Sequence, residues 1–167
     1  FVRSQLEAVF SDIGVDAAKT GMLFSAPVIE TVAEVLCERV PLVVDPVMVA
    51  SSGARLLEED AVQTLVARLF PLATVVTPNL PEAEALVGAG PKRELAARLV
   101  ELGARAAIVT GGHGDPVDHL FDGEQHVEIP VERVESGATH GAGCTHSATL
   151  AALLARGLSL EDAAHGA

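Results

Sequence analysis

The sequence predicts an α/β protein: a mostly parallel sheet with helices on both faces. Three observations carry that expectation. Short β-branched runs such as "PLVVDP" (41–46) and "ATVVTP" (73–78) do not alternate polar with apolar, as strands buried on both faces do not. Between them lie stretches whose apolar residues recur at helical spacing. Gly, Pro or Asn closes the strand-like runs and marks a turn into the next helix.

Taken in order, Val2, Leu6, Val9, Phe10 and Ile13 share a helical face and predict a helix over about residues 1–11. A short strand comes next at 15–22, then a helix at 26–38 and an apolar strand at 42–47 that ends in Asp-Pro, at Asp45-Pro46. Glu58, Glu59 and Asp60 begin a helix reaching about residue 70, where acids complement the dipole. A third strand at 74–77 leads to a helix from Pro81, a helix at 92–102 and a fourth strand at 106–110. Residues 120–134 differ, because they alternate around Asp122-Gly123 and read as a hairpin at a sheet edge. An alanine-rich helix then starts behind Gly141-Ala142-Gly143. No internal repeat or low-complexity linker interrupts the pattern.

At 167 residues and 49% hydrophobic, the chain can bury one substantial core, so residues 1–167 read as a single domain. The first residue falls inside a helical pattern and the last seven enter another helix, so a domain cut at both ends is expected. Only Cys37 and Cys144 are present, which suits a reducing, cytoplasmic setting and no disulfide framework. No apolar run approaches the roughly 20 residues that span a bilayer, and no membrane role is expected. With 11 Lys and Arg against 23 Asp and Glu, the formal charge of −12 opposes binding to nucleic acid. A phosphate ligand would therefore need local amides or a metal ion.

Ligands of open parallel sheets gather beyond the carboxyl ends of the strands. Those places hold Gly21-Met22, Asp45-Pro46, Thr77-Pro78-Asn79 and Gly111-Gly112-His113, joined by the glycine turn 141–144. That turn lets backbone N–H groups converge on an anion at a helix start. It equally fits a glycine-rich helix start with a buried, inert cysteine. It lacks the Lys-Ser/Thr of a Walker A loop, and His146 occupies the last position of a G-x-G-x-x-G pattern. Cys144 sits where a developing anion is favoured, which suits a base or a nucleophile. His146, two residues on, lies on the wrong side of a helix to serve it in a cysteine hydrolase, while His140 stays open.

Asn79 and Glu82 form a capping-box pattern, the reading these residues favour by themselves, and a capping Glu82 can also face a ligand and orient a magnesium–water shell. Asp45 is either an Asp-Pro turn or a carboxylate on the ligand side of the sheet. His113 is either solvated or near a phosphate. His119, His126 and His165 show no metal-ligand spacing, and Cys37 reads as core. A glycine turn, a magnesium-orienting acid and a reactive side chain together fit phosphoryl transfer.

Four motifs in this order, "DPVMVASSG" (45–53), "TPNLPEA" (77–83), "GGH" (111–113) and "THGAGCT" (139–145), with "KTGML" (19–23), resemble the hydroxymethylpyrimidine/phosphomethylpyrimidine kinases of the ribokinase-like superfamily. The resemblance covers the whole chain. It implies a ribokinase-like fold, ATP and Mg2+ as cofactors, a small pyrimidine substrate in thiamine biosynthesis, and a homodimer. It further implies that Cys144 is the base and that the amides around Gly141, Ala142, Gly143 and Cys144 form an anion hole. Asp45, Asn79, Glu82, Thr110 and Gly112 would serve nucleotide and magnesium, with Asp45 and Glu82 on the metal through water. Met22 and Val47 would line the pyrimidine pocket. The chain departs from the family pattern at Ser51 and Thr110, where Lys is usual, at Ala138 and Ala142, where Asn and Thr are usual, and at His146, usually apolar. A pyridoxal-type kinase with the same machinery, or a non-catalytic pyrimidine-binding remnant, are the other readings.

Overall fold

The computed structural model describes residues 1–37, 40–48, 56–111, 115–132 and 141–167. Six strands form one sheet in chain order: β1 (Ala18–Thr20), β2 (Leu42–Val44), β3 (Val75–Val76), β4 (Ala107–Val109), β5 (Val117–Phe121) and β6 (His126–Pro130). The first four run parallel, and β5 and β6 add antiparallel at the edge. The helices are α1 (Val2–Asp12), α2 (Ala26–Leu36), α3 (Glu59–Arg68), α4 (Leu80–Val87), α5 (Lys92–Glu101), α6 (Ala142–Ala155) and α7 (Leu160–His165).

Parallel strands added in sequence order, each through a right-handed crossover, put their connecting helices on one face. That face carries a core in which Leu42, Val44, Val76, Ala107 and Val109 meet Ile29 of α2, Leu65 of α3 and Leu99 of α5. The opposite face carries a second core, in which Val43, Val75, Ile108 and Leu120 meet Leu150 of α6 and Ala163 of α7. Leu42, Val43 and Val44 are therefore all buried although successive side chains point to opposite faces. This is why the strands read as unbroken apolar runs. Each fully buried Leu or Val contributes about 1.5–3 kcal/mol of hydrophobic stabilisation.

Several elements differ in extent from the sequence expectation. Strand β1 is shorter, because past Gly21 the chain turns, with Phe24 at φ 66° and Ser25 N–H donating to the Leu23 carbonyl. Strand β2 ends at Val44: Asp45 N–H still donates to the Thr20 carbonyl, but Pro46 has no N–H and Val47 N–H turns back to the Asp45 carbonyl at 2.9 Å. The hairpin starts at Val117 rather than residue 120, since the inward position before Leu120 is taken by a polar residue, Asp118. Its turn is closed by Asp122 Oδ1, which accepts from Glu124 and Gln125 N–H, with Gly123 at φ 97°. Cys37 is exposed, not core; α2 buries its last residues through Leu36, and Cys37 is the capping residue beyond them. On α1, Val2, Leu6 and Phe10 pack against the first core, whereas Val9 and Ile13 are exposed. Among the described residues, no helix is long and apolar enough to cross a membrane.

Candidate active site

Sheet register brings the candidate loops to one edge. Thr20 pairs with Val44 and Val44 with Val76, so the carboxyl ends of β1, β2 and β3 lie level. A parallel bridge joins Asn79 to Thr110, whose N–H donates to the Pro78 carbonyl at 3.1 Å, and this sets the fourth loop beside the third. Met22 is exposed and Val47 half-buried, in the loops after the adjacent strands β1 and β2. Gly112, His113, Ser51, Ala138 and His140 lie outside the described residues.

Asp45 follows Val43 by two positions and so turns toward α6. Only 6% of it is exposed. Its Oδ2 accepts a hydrogen bond from Ser147 Oγ at 3.0 Å, and Lys19 Nζ stands 3.9 Å away. Lys19 Nζ also donates to Ser147 Oγ at 3.1 Å, and the Cys144 carbonyl lies 3.2 Å from that hydroxyl. Burial raises the Asp45 pKa from its ordinary value, against the opposing pull of Ser147, Lys19 and His146.

The Asn79–Glu82 pair is a complete capping box. Asn79 Oδ1 accepts from Glu82 N–H and Glu82 Oε2 from Asn79 N–H, each at 3.0 Å. Glu82 is nevertheless buried, and its other oxygen lies 3.5 Å from Met48 N–H. Burial raises its pKa; the Asn79 N–H opposes this and the Asp45 charge adds to it. The cap leaves room for a ligand role, because two buried carboxylates within electrostatic reach of one another would be relieved by a shared cation. Among the described residues no group of three His, Cys, Asp or Glu could hold a metal. Two carboxylates suit magnesium, which keeps several waters and is completed by substrate phosphates.

Helix α6 opens on Gly141 at φ 84°, a left-handed conformation that glycine adopts without strain. Its first internal bond is Thr145 N–H to the Gly141 carbonyl at 2.8 Å, so the N–H groups of Ala142, Gly143 and Cys144 precede the helical ladder. No acidic residue stands in its first turn. Cys144 is exposed there rather than buried. His146 is half-buried, its Nε2 has no partner among the described residues, and burial lowers its pKa against the charges of Asp118 and Asp45.

Three polar residues escape a reading of the sequence or enter it only within a motif. Ser147 is the polar member of an otherwise apolar α6 face with Leu150 and Ala151. Lys19 stands out only as part of "KTGML". Asp118, buried on β5, accepts from Gly111 N–H. A Cβ on Gly111 would lie 2.7 Å from the Val117 nitrogen, so this approach requires glycine. A polar residue on an inward hairpin position is the available signal.

A parallel sheet whose strand ends meet a glycine-turned helix start, with a buried carboxylate pair beside it, defines a class of α/β proteins built to receive an anionic ligand. Within that class the chain belongs to the phosphomethylpyrimidine kinase family, whose model matches residues 1–167. It is 52% identical to the thiamine biosynthesis bifunctional protein ThiED of Geobacter sulfurreducens, covering 98% of this chain and 35% of that protein. It is 44% identical to the hydroxymethylpyrimidine/phosphomethylpyrimidine kinase of Rhizobium meliloti, over 99% of this chain and 66% of that enzyme. The ADP complex of Bacillus subtilis pyridoxal kinase superposes with a TM-score of 0.85 at 39% identity, over 98% of this chain and 65% of that one. The chain thus spans about two thirds of that kinase and about one third of the bifunctional protein.

Proposed function

We propose that the protein carrying this chain transfers the γ-phosphoryl group of ATP to hydroxymethylpyrimidine and to its monophosphate, in thiamine biosynthesis. The observation that carries this reading is the exposed Cys144 at the glycine-turned start of α6, tied through Ser147 to the buried Asp45. In this mechanism the N–H groups at Gly141, Ala142, Gly143 and Cys144 hold the transferring phosphoryl group, and the helix dipole favours its charge. Cys144 takes the proton of the attacking hydroxyl. Asn79, Thr110 and Gly112 bind the nucleotide. Asp45 and Glu82 would hold magnesium through water, and the cation would supply neutralisation of the nucleotide's phosphate charge. Met22 and Val47 meet the pyrimidine ring. Residues 1–167 belong to one ribokinase-like kinase domain of a cytoplasmic homodimer.

A pyridoxal-type kinase is the second reading, favoured by the superposition on the Bacillus subtilis enzyme. One assay separates them. ADP release by the full-length protein is measured with hydroxymethylpyrimidine, its monophosphate and pyridoxal in turn. Turnover of the first two is expected, and Cys144→Ala is expected to lower kcat by about 10²–10⁴ with KM little changed. Turnover of pyridoxal alone would select the second reading. Binding of pyrimidine without turnover would select the non-catalytic remnant, in which Ser51 and Thr110 stand where the family has Lys.

A further inference from the structure

We propose that Lys19 and Ser147 are positioning residues for the phosphoryl transfer: the Ser147 hydroxyl fastens the first turn of α6 to Asp45, and the Lys19 ammonium fixes that hydroxyl. This rests on the kinase reading. Ser147 is wholly buried, three residues after Cys144 and therefore one turn below it on the same helix. A hydroxyl has one proton to give. Lys19 Nζ, 3.1 Å away, occupies an acceptor position of Ser147 Oγ, which directs the proton to Asp45 Oδ2 at 3.0 Å, with the Cys144 carbonyl at 3.2 Å also in reach. Three elements distant in sequence, β1, the turn after β2 and the start of α6, are thus joined at one oxygen. Cys144 and the N–H groups beside it ride on the turn so fastened.

The surroundings argue that this network is more than packing. Its neighbours on α6, Leu150 and Ala151, are apolar and buried against Val43 and Ile108. A third apolar residue would serve docking as well, since burying a lysine–aspartate pair gains little over apolar packing. What the polar set supplies and apolar packing does not is a fixed orientation of the α6 start relative to Asp45.

The test uses the full-length protein with Ser147→Ala, Lys19→Met and Lys19→Arg. Each loss variant is expected to lower kcat about 10- to 100-fold, as a misplacement near 1 Å does, with the pyrimidine KM within about 2-fold of wild type. Lys19→Arg, which keeps a cation within reach, is expected to recover most of kcat. Hydrogen exchange at the amides of residues 145–148 is expected to quicken in both loss variants while the rest of α6 exchanges as before. A kcat near wild type, a KM that rises as kcat falls, or unchanged exchange overturns the proposal. If Ser147→Ala does not fold, Lys19→Met decides alone, its side chain being 26% exposed. Wild-type protein inactive on every substrate would refute the kinase reading, and exchange at 145–148 would still decide the linkage.

Discussion

Asp45 and Glu82 each carry a carboxylate where burial disfavours charge, and each accepts a hydrogen bond that favours the anion without fully offsetting that burial. Their folded-state pKa values are raised above the unfolded values of about 3.9 and 4.3. The folded state therefore binds protons more tightly than the unfolded chain. Their contribution to stability is complete below the ordinary carboxylate range and is lost as pH rises through the raised values. Asp45→Asn removes the charge and keeps an acceptor for Ser147. Its melting temperature is expected to rise relative to wild type as the pH is raised from about 4, the unfolded value, through the raised folded value, while kcat falls. Parallel pH dependence of the two proteins would show that Asp45 is not held against its charge. The site would then be tolerating two anions without strain, and the case for a shared cation would weaken.

At the scale of elements, what is legible in the sequence is what local chemistry dictates. The parallel strands show as apolar runs because both faces are covered, and the α4 start shows as a capping box because its partners are three residues apart. The Asp122-Gly123 turn is equally plain. The rest depends on distance. Ser147 meets Asp45 across 102 residues and Lys19 across 128, and no local pattern announces either bond. Cys37 departs from expectation for a smaller reason, since one residue decides whether a helix end is packed or capped. His146 belongs to the same long-range class as Ser147. It sits on α6 within the field of Asp118 of β5 and of Asp45 after β2, its pKa lowered by burial and its Nε2 unpaired among the described residues. Its folded pKa is lowered, so the unfolded chain takes up the proton more readily below about 6.5, and stability is lost as pH falls through that value. His146→Leu is expected to stabilise the fold by about 1–3 kcal/mol at pH 7, the cost of an unsatisfied buried group, and to flatten the loss on the acid side. Urea unfolding at pH 5.5 and 7.5 reads both. A less stable variant, or an unchanged acid slope, would mean that His146 finds its partner in water or in the ligand.

The whole molecule divides its work between the two faces of one sheet. Helices α2, α3, α4 and α5 close the larger core, whereas α6 and α7 close the smaller one, among the described residues. Yet the candidate base, the amides proposed to receive the anion and Ser147 all ride on α6. On the proposed mechanism, the catalytic geometry depends on how firmly the smaller face is packed. Leu150 lies one turn beyond Ser147 and is fully buried against the sheet; Leu99 of α5 is as fully buried on the other face. Truncating either to Ala is expected to cost about 2–5 kcal/mol, because both leave a cavity in a packed core. The consequences for activity should part. Leu150→Ala lets α6 shift or open locally, so kcat at 25 °C is expected to fall at least about 5-fold, since low-stability units open well below global unfolding. Leu99→Ala opens its cavity on α5, which itself carries no proposed site residue, and kcat should stay within about 2-fold while the protein remains folded. Kinetics and urea denaturation on both variants read the contrast. Equal losses of kcat would mean that the two cores respond as one cooperative body and that α6 has no separate freedom. Equal stability with unequal activity would make the packing of the smaller face a determinant of the chemistry.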